Sequence, residues 1–141
     1  MQVFIIGTAI ETAMVLDKKR LNKQIVECQQ ILDALNGKSA WSNHPCVLQY
    51  KEHVQWLYEY KQCLEQFAMG RVHTPQKYSE FADKIRPPFH TQEYLDQMKR
   101  RLYQKDNNYY KQWAHLGESQ VNWYFVDGEW RFYQNGKRIK N

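Results

Sequence analysis

Apolar residues recur at helical spacing along most of the chain. Leu21, Ile25, Cys28, Leu32 and Leu35 are spaced by four and three, which predicts a helix from about Asp17 to Leu35, ended by Asn36-Gly37. A short apolar start, Val3-Phe4-Ile5-Ile6, precedes it, and a polar loop from Lys38 to His44 follows. Pro45 reads as the first residue of a second helix, with the stripe Val47, Tyr50, Val54, Leu57 and Leu64 running to about Ala68 before Gly70. Thr74-Pro75 reads as an N-cap and a first-turn proline, opening a short helix to about Lys84. After the break at Arg86-Pro87-Pro88, Thr91 caps a helix that points Leu95, Met98 and Leu102 inward. Asp106-Asn107-Asn108 interrupts it, and a shorter helix runs on to Trp113.

The pattern changes near residue 121. Trp123-Tyr124-Phe125-Val126 and Glu129-Trp130-Arg131-Phe132 flank Asp127-Gly128. An Asp-Gly pair between aromatic runs predicts a two-residue hairpin, because both turn positions need positive φ. In that register Phe125 faces Trp130 and Trp123 faces Phe132, and these four are expected to pack on the helices. The expected fold is mainly α: a compact helical single domain spanning residues 1–141, with a small C-terminal β-hairpin at about 121–134.

Composition adds location to this outline. The 141 residues suit one domain and can bury a core without disulfides. No run of about 18 apolar residues exists, so no membrane-spanning helix is expected, and the short apolar start lacks the basic flank of a secretory signal. Cys28, Cys46 and Cys63 are widely spaced, with no Cys-x-x-Cys pair; reduced thiols and a cytoplasmic, nucleoid-associated location are expected. The formal net charge is +5. Residues 1–98 hold equal numbers of acidic and basic side chains, so the whole excess lies in residues 99–141, where it is interleaved with Tyr and Trp. That pairing suits a polyanion with stackable bases, the alternative being a basic tail without a role.

Three constellations can carry chemistry. On the first long helix Arg20, Lys23, Gln24 and Glu27 fall on one flank, at about 200–300° from Leu21. A carboxylate among cations stays ionised and can stabilise a cationic intermediate. The plainer alternative is a solvated face with a Lys23–Glu27 pair. Asn43-His44-Pro45 puts an amide and an imidazole at a helix start, where backbone N–H groups can take a phosphate or the side chains can simply cap. His53 stands two turns into the same helix. Lys99-Arg100-Arg101 with Lys105 forms a basic helix segment, with Arg101 and Lys105 one turn apart, or a solvated face. There is no Gly-rich phosphate loop, Ser/His/Asp set or His-Glu-x-x-His, and Asp17, Glu27 and Asp33 make no obvious metal triad. No metal and no cofactor is expected.

The stretch from Leu16-Asp17-Lys18-Lys19-Arg20-Leu21 to Lys23-Gln24-Ile25-Val26-Glu27, followed by Ile31-Leu32 and Leu35, resembles the N-terminal motif of the pyrimidine dimer DNA glycosylase family, phage enzymes and their bacterial relatives. Trp41-Ser42-Asn43-His44-Pro45 is similar to a Trp-x-Asn-His-Pro element of the bacterial members. Leu102, Lys105, Asp106 and Tyr109 are similar to a late Leu-x-x-Lys-Asp-x-x-Tyr element, and His53-Val54 and Trp123-Tyr124 match the phage enzyme's spacing. The resemblance implies a helical DNA repair fold, cleavage of the glycosidic bond at a UV-induced dimer, and strand scission at the abasic site. The N-terminal α-amine would attack the deoxyribose C1′ and form an imine, assisted by a helix glutamate that Glu27 matches. An ordinary α-amine titrates near pH 8, and an imine is an electron sink that permits β-elimination without metal.

Gln2 is too large for usual methionine removal, so Met1 would supply the amine, with Lys23 in reserve. Arg20 stands where the phage enzyme has a helix histidine, Val26 at an arginine position, and Met98-Lys99 where bacterial relatives have His-Arg. The expected catalytic pair is Met1 and Glu27. The expected DNA contacts are Arg20, Lys23, Gln24, Asn43, His44, Lys99, Arg101 and Lys105, and the expected partner is lesion-containing double-stranded DNA bound by a monomer. The alternatives are a non-catalytic nucleic-acid-binding helical module and a helical protein-interaction domain docking through its aromatic hairpin.

Overall fold

The computed structural model describes residues 1–38 and 42–139, so Trp41 of the motif lies outside the described residues. An anchored extended start leads into α1 (Ala9–Val15), then α2 (Lys18–Leu35), α3 (Pro45–Gln49), α4 (Val54–Ala68), α5 (Thr74–Lys84) and α6 (Gln92–Lys105). A 3₁₀ helix, Lys111–Leu116, precedes β1 (Asn122–Val126), β2 (Glu129–Gln134) and β3 (Lys137–Ile139), which form one antiparallel sheet in that order. The fold is mainly α, as the apolar periodicity indicates. No helix among the described residues is long and apolar enough to cross a membrane.

α4 is the hub, packing against α1, α2 and α5. Its Leu57, Tyr60, Cys63 and Leu64 join Leu21, Cys28 and Ile31 of α2, Met98 and Leu102 of α6, and Tyr124 and Val126 of β1 in one core. Burying each such aliphatic side chain is worth roughly 1.5–3 kcal/mol. All three cysteines are buried free thiols, and burial pushes Cys46 and Cys63 up to about 12.

Four features differ from the periodicity. α1 follows the apolar start as a helix of its own; its signal is the capping box of Thr8 and Glu11, in which each side chain accepts from the other's backbone N–H. The helix expected from Pro45 to Ala68 is two helices, broken at Tyr50–His53. Tyr50 stacks on Trp56 at 5.5 Å, which six positions on a straight helix forbid, because they lie about 240° apart and 9 Å along the axis. The break brings the rings together, leaves Val54 exposed and makes His53 a helix N-cap.

The sheet is the third. The register agrees, with Trp123 opposite Phe132 and Phe125 opposite Trp130, and Asp127 and Gly128 both have positive φ. The buried face is the other one: Tyr124 and Val126 enter the core, and Trp123, Phe125, Trp130 and Phe132 are only partly covered. Phe89 covers part of that second face, its ring 5.8 Å from Phe125. Lastly, the hairpin gains a third strand through a second turn at Asn135-Gly136, again with positive φ at both residues.

Candidate active site

A cleft of about 200 Å³ opens between the chain start, α2 and α6. Met1, Gln2 and Phe4 form its floor, and Lys19, Arg20, Lys23, Gln24 and Glu27 line it from α2. Arg101 and Lys105 close it from α6, with Asn122 from β1. The α2 residues converge because positions three and four apart share a helix face.

The chain start is an isolated extended segment whose backbone groups need partners. Side chains supply them. Gln24, buried in α2, accepts from Phe4 N and donates through Nε2 to Gln2 O at 2.9 Å. Tyr60 OH donates to Phe4 O at 2.9 Å, and Tyr124 OH donates to Met1 O at 2.9 Å. Gln2 N donates to Glu27 Oε2 at 3.1 Å. Gln24 is therefore a structural clamp as well as part of the cleft lining. The helical wheel places it beside the stripe but cannot show that a backbone segment covers it.

Glu27 is sheltered, its side chain 14% exposed, while Lys23, 3.9 Å away, is 67% exposed. The Met1 amine forms no ion pair with Glu27; the carboxylate holds the next N–H along. Covalent geometry then puts the Met1 nitrogen at most about 7 Å from Glu27 Oε2, and Met1 itself lines the cleft.

Arg20 is anchored on Asp17 at 3.2 Å and reaches the Lys105 carbonyl at 3.4 Å, joining α2 to the end of α6. Asp17 also accepts from Tyr110 OH; these bonds outweigh burial and hold its carboxyl below the usual range. Arg101 donates to Ser119 O at 2.8 Å. Lys105 Nζ lies over the Phe4 ring at 5.8 Å. Partial loss of water in the cleft, then the cations of Arg101, Lys23 and Arg20, push its ammonium down, against Glu27. Three buried polar atoms of cleft residues, Gln2 Nε2, Arg101 Nε and Asn122 Oδ1, have no hydrogen-bond partner.

The remaining expected residues lie elsewhere. His44 caps α3, its Nδ1 accepting from Cys46 N at 3.1 Å, so the helix start is closed by its own cap. Its ring meets Tyr124 edge-on at 5.9 Å, and burial, then the N-terminal charge, lowers its proton affinity. His44 thus backs the chain start from behind. Asn43 is exposed and outside the cleft lining. Lys99 is paired with Asp96 at 3.4 Å; it sits about 200° around α6 from Arg101 and points away from the cleft. Sequence reasoning missed the positioning by Tyr60 and Tyr124 and the cleft position of Asn122. Among the described residues, no three His, Cys, Asp or Glu side chains are grouped to hold a metal ion.

A family model for pyrimidine dimer DNA glycosylase matches residues 1–77, more than half of the chain. No curated protein and no solved structure matches. The matched stretch carries Met1, the Gln24 clamp, Glu27 and the α2 cations, and the unmatched part supplies Arg101, Lys105, Asn122 and Tyr124. By this match, which covers the anchored chain start and the sheltered Glu27 of the cation-lined cleft, the chain belongs to the pyrimidine dimer DNA glycosylase family.

Proposed function

We propose that the cleft excises UV-induced pyrimidine dimers and then cuts the strand at the abasic site, through an imine on the Met1 amine. The observation that carries this reading is the Gln2 N–Glu27 Oε2 bond of 3.1 Å, which fixes the amine-bearing residue against a carboxylate. The neutral amine attacks C1′ as the glycosidic bond breaks and the base leaves with its electron pair. A proton then passes from the amine to O4′ as the C1′–O4′ bond breaks, and ring opening leaves a cationic imine. Glu27 stabilises the oxocarbenium-like sugar and the imine by its charge, and accepts the C2′ proton as the C3′–O bond breaks and the phosphate departs. The imine supplies the electron sink, so the chemistry asks for no metal.

Arg20, Lys23, Arg101 and Lys105 would hold the phosphates flanking the lesion. The cleft is too small for a duplex, so the damaged nucleotide must leave the stack to enter it; a poorly stacked lesion lowers that cost.

The test is cleavage of a duplex carrying one dimer. Wild type is expected to nick it in EDTA and leave undamaged duplex intact. Glu27→Gln is expected to slow nicking about 100-fold with binding retained. Salt-sensitive binding without nicking would point instead to a non-catalytic module.

A further inference from the structure

Four amines line the cleft: Met1, Lys19, Lys23 and Lys105. Lys23 is drawn to Glu27 and mostly exposed, and Lys19 is exposed in the first turn of α2. Lys105 differs in its surroundings. It ends α6 and meets α2 across the cleft, where Arg20 takes its carbonyl. No carboxylate lies within ion-pair distance of its Nζ among the described residues. The groups facing it are the cations of Arg101, Lys23 and Arg20, one carboxylate, Glu27, and the Phe4 ring. The side chain stays solvent-accessible, so a ligand in the cleft can reach it. A lysine that only gripped phosphate would gain from being a well-hydrated full charge. Three cations nearby and reduced hydration oppose that charge, and Glu27 and the Phe4 ring only partly restore it.

We propose that Lys105 Nζ is a second imine-forming amine of the cleft, which captures the aldehyde of an abasic deoxyribose. This rests on the reading of the cleft as a glycosylase site, since that reaction generates the abasic sugar. The neutral Nζ adds to C1′ of the ring-opened sugar, and water leaves to give the imine. Loss of the C2′ proton to Glu27 pushes an electron pair into the imine, and the C3′–O bond breaks with its electrons leaving on the phosphate. Hydrolysis of the imine returns the amine. Met1 would then serve base removal, and Lys105 would be able to process an abasic site met without a dimer.

The experiment uses the full chain, a duplex with one preformed abasic site, borohydride to reduce any imine, and tryptic mapping of the adduct. An adduct on Lys105 blocks cleavage there and appears on peptide 102–111; an adduct on the Met1 amine appears on peptide 1–18. The expected result is adduct on both, with the 102–111 share rising from pH 7 to about 9. Lys105→Arg is expected to cut the 102–111 adduct at least about tenfold, and the 1–18 adduct in the same sample reports that the cleft is folded. Adduct on 1–18 without 102–111 overturns the proposal and leaves the functional reading standing, and adduct on Lys23 alone overturns both. No adduct anywhere overturns both.

Discussion

Tyr124 OH donates to the Met1 carbonyl oxygen at 2.9 Å, across 123 positions of chain. The C-terminal sheet thereby holds the first residue of the chain, which lines the cleft. The hydroxyl is buried beside His44 and Arg101, and burial pushes it far above the ordinary tyrosine range, so at neutral pH it is a donor. Tyr124→Phe keeps the ring and removes that bond. The expected stability loss is about 1 kcal/mol, read by urea denaturation. Imine trapping is expected to slow about tenfold, with DNA affinity changed less than about twofold. Equal losses in both would make Tyr124 a plain core residue.

Gln24 carries more of the chain start. Gln24→Leu strands the Phe4 N–H and the Gln2 carbonyl in a buried setting, at a cost of about 2–4 kcal/mol. Gln24→Glu keeps the acceptor for Phe4 N and is expected to cost less. A Leu variant as stable as wild type, by thermal or urea unfolding, would contradict the clamp.

Stability should fall between pH 7 and 5. Burial lowers the proton affinity of His90, His53 and His44 in the fold, most strongly for His90, whose Nε2 pairs with Tyr50 OH at 2.9 Å. The unfolded chain binds more protons, so this contribution is complete above the ordinary histidine value near 6.5 and is lost as pH drops below it. The lowered carboxyls of Asp17 and Glu11 act only at more acidic pH. His90→Gln is expected to flatten the urea midpoint across pH 7 to 5; an unchanged slope would refute the assignment.

Salt dependence separates the cleft from the far face of α6. Each phosphate contact contributes a slope of about 0.9 in log affinity against log salt. Lys23→Ala is expected to reduce the slope by about that amount, and Lys99→Ala, on the far side and paired with Asp96, to leave it unchanged. Fluorescence anisotropy over a salt series measures both, and a loss at Lys99 would place the DNA elsewhere.

The helices were legible because Leu21, Cys28 and Leu32, or Leu95, Met98 and Leu102, repeat at helical spacing and have nowhere to go but the core. Asp127-Gly128 was legible because its backbone demands residues that tolerate positive φ. The break at Tyr50–His53 was not, since Tyr50 on Trp56 is a tertiary contact that overrides a continuous stripe. The buried sheet face was not either, because Trp123, Phe125, Trp130 and Phe132 outweigh Tyr124 and Val126 in apolar bulk, and only the position of the chain start selects Tyr124. In the site, Glu27 and its cations could be placed from helix geometry. The clamping bonds of Gln24 were not legible, because its partners are backbone atoms twenty or more positions away.

The Met1 amine and Glu27 are proposed to act together on a damaged nucleotide. Borohydride trapping on a dimer-containing duplex, followed by tryptic mapping, tests it most directly. A one-to-one covalent adduct dominated by peptide 1–18 is expected, reduced about 100-fold by Glu27→Gln. A duplex bound at the same affinity with no adduct, or an adduct indifferent to Glu27→Gln, would contradict it.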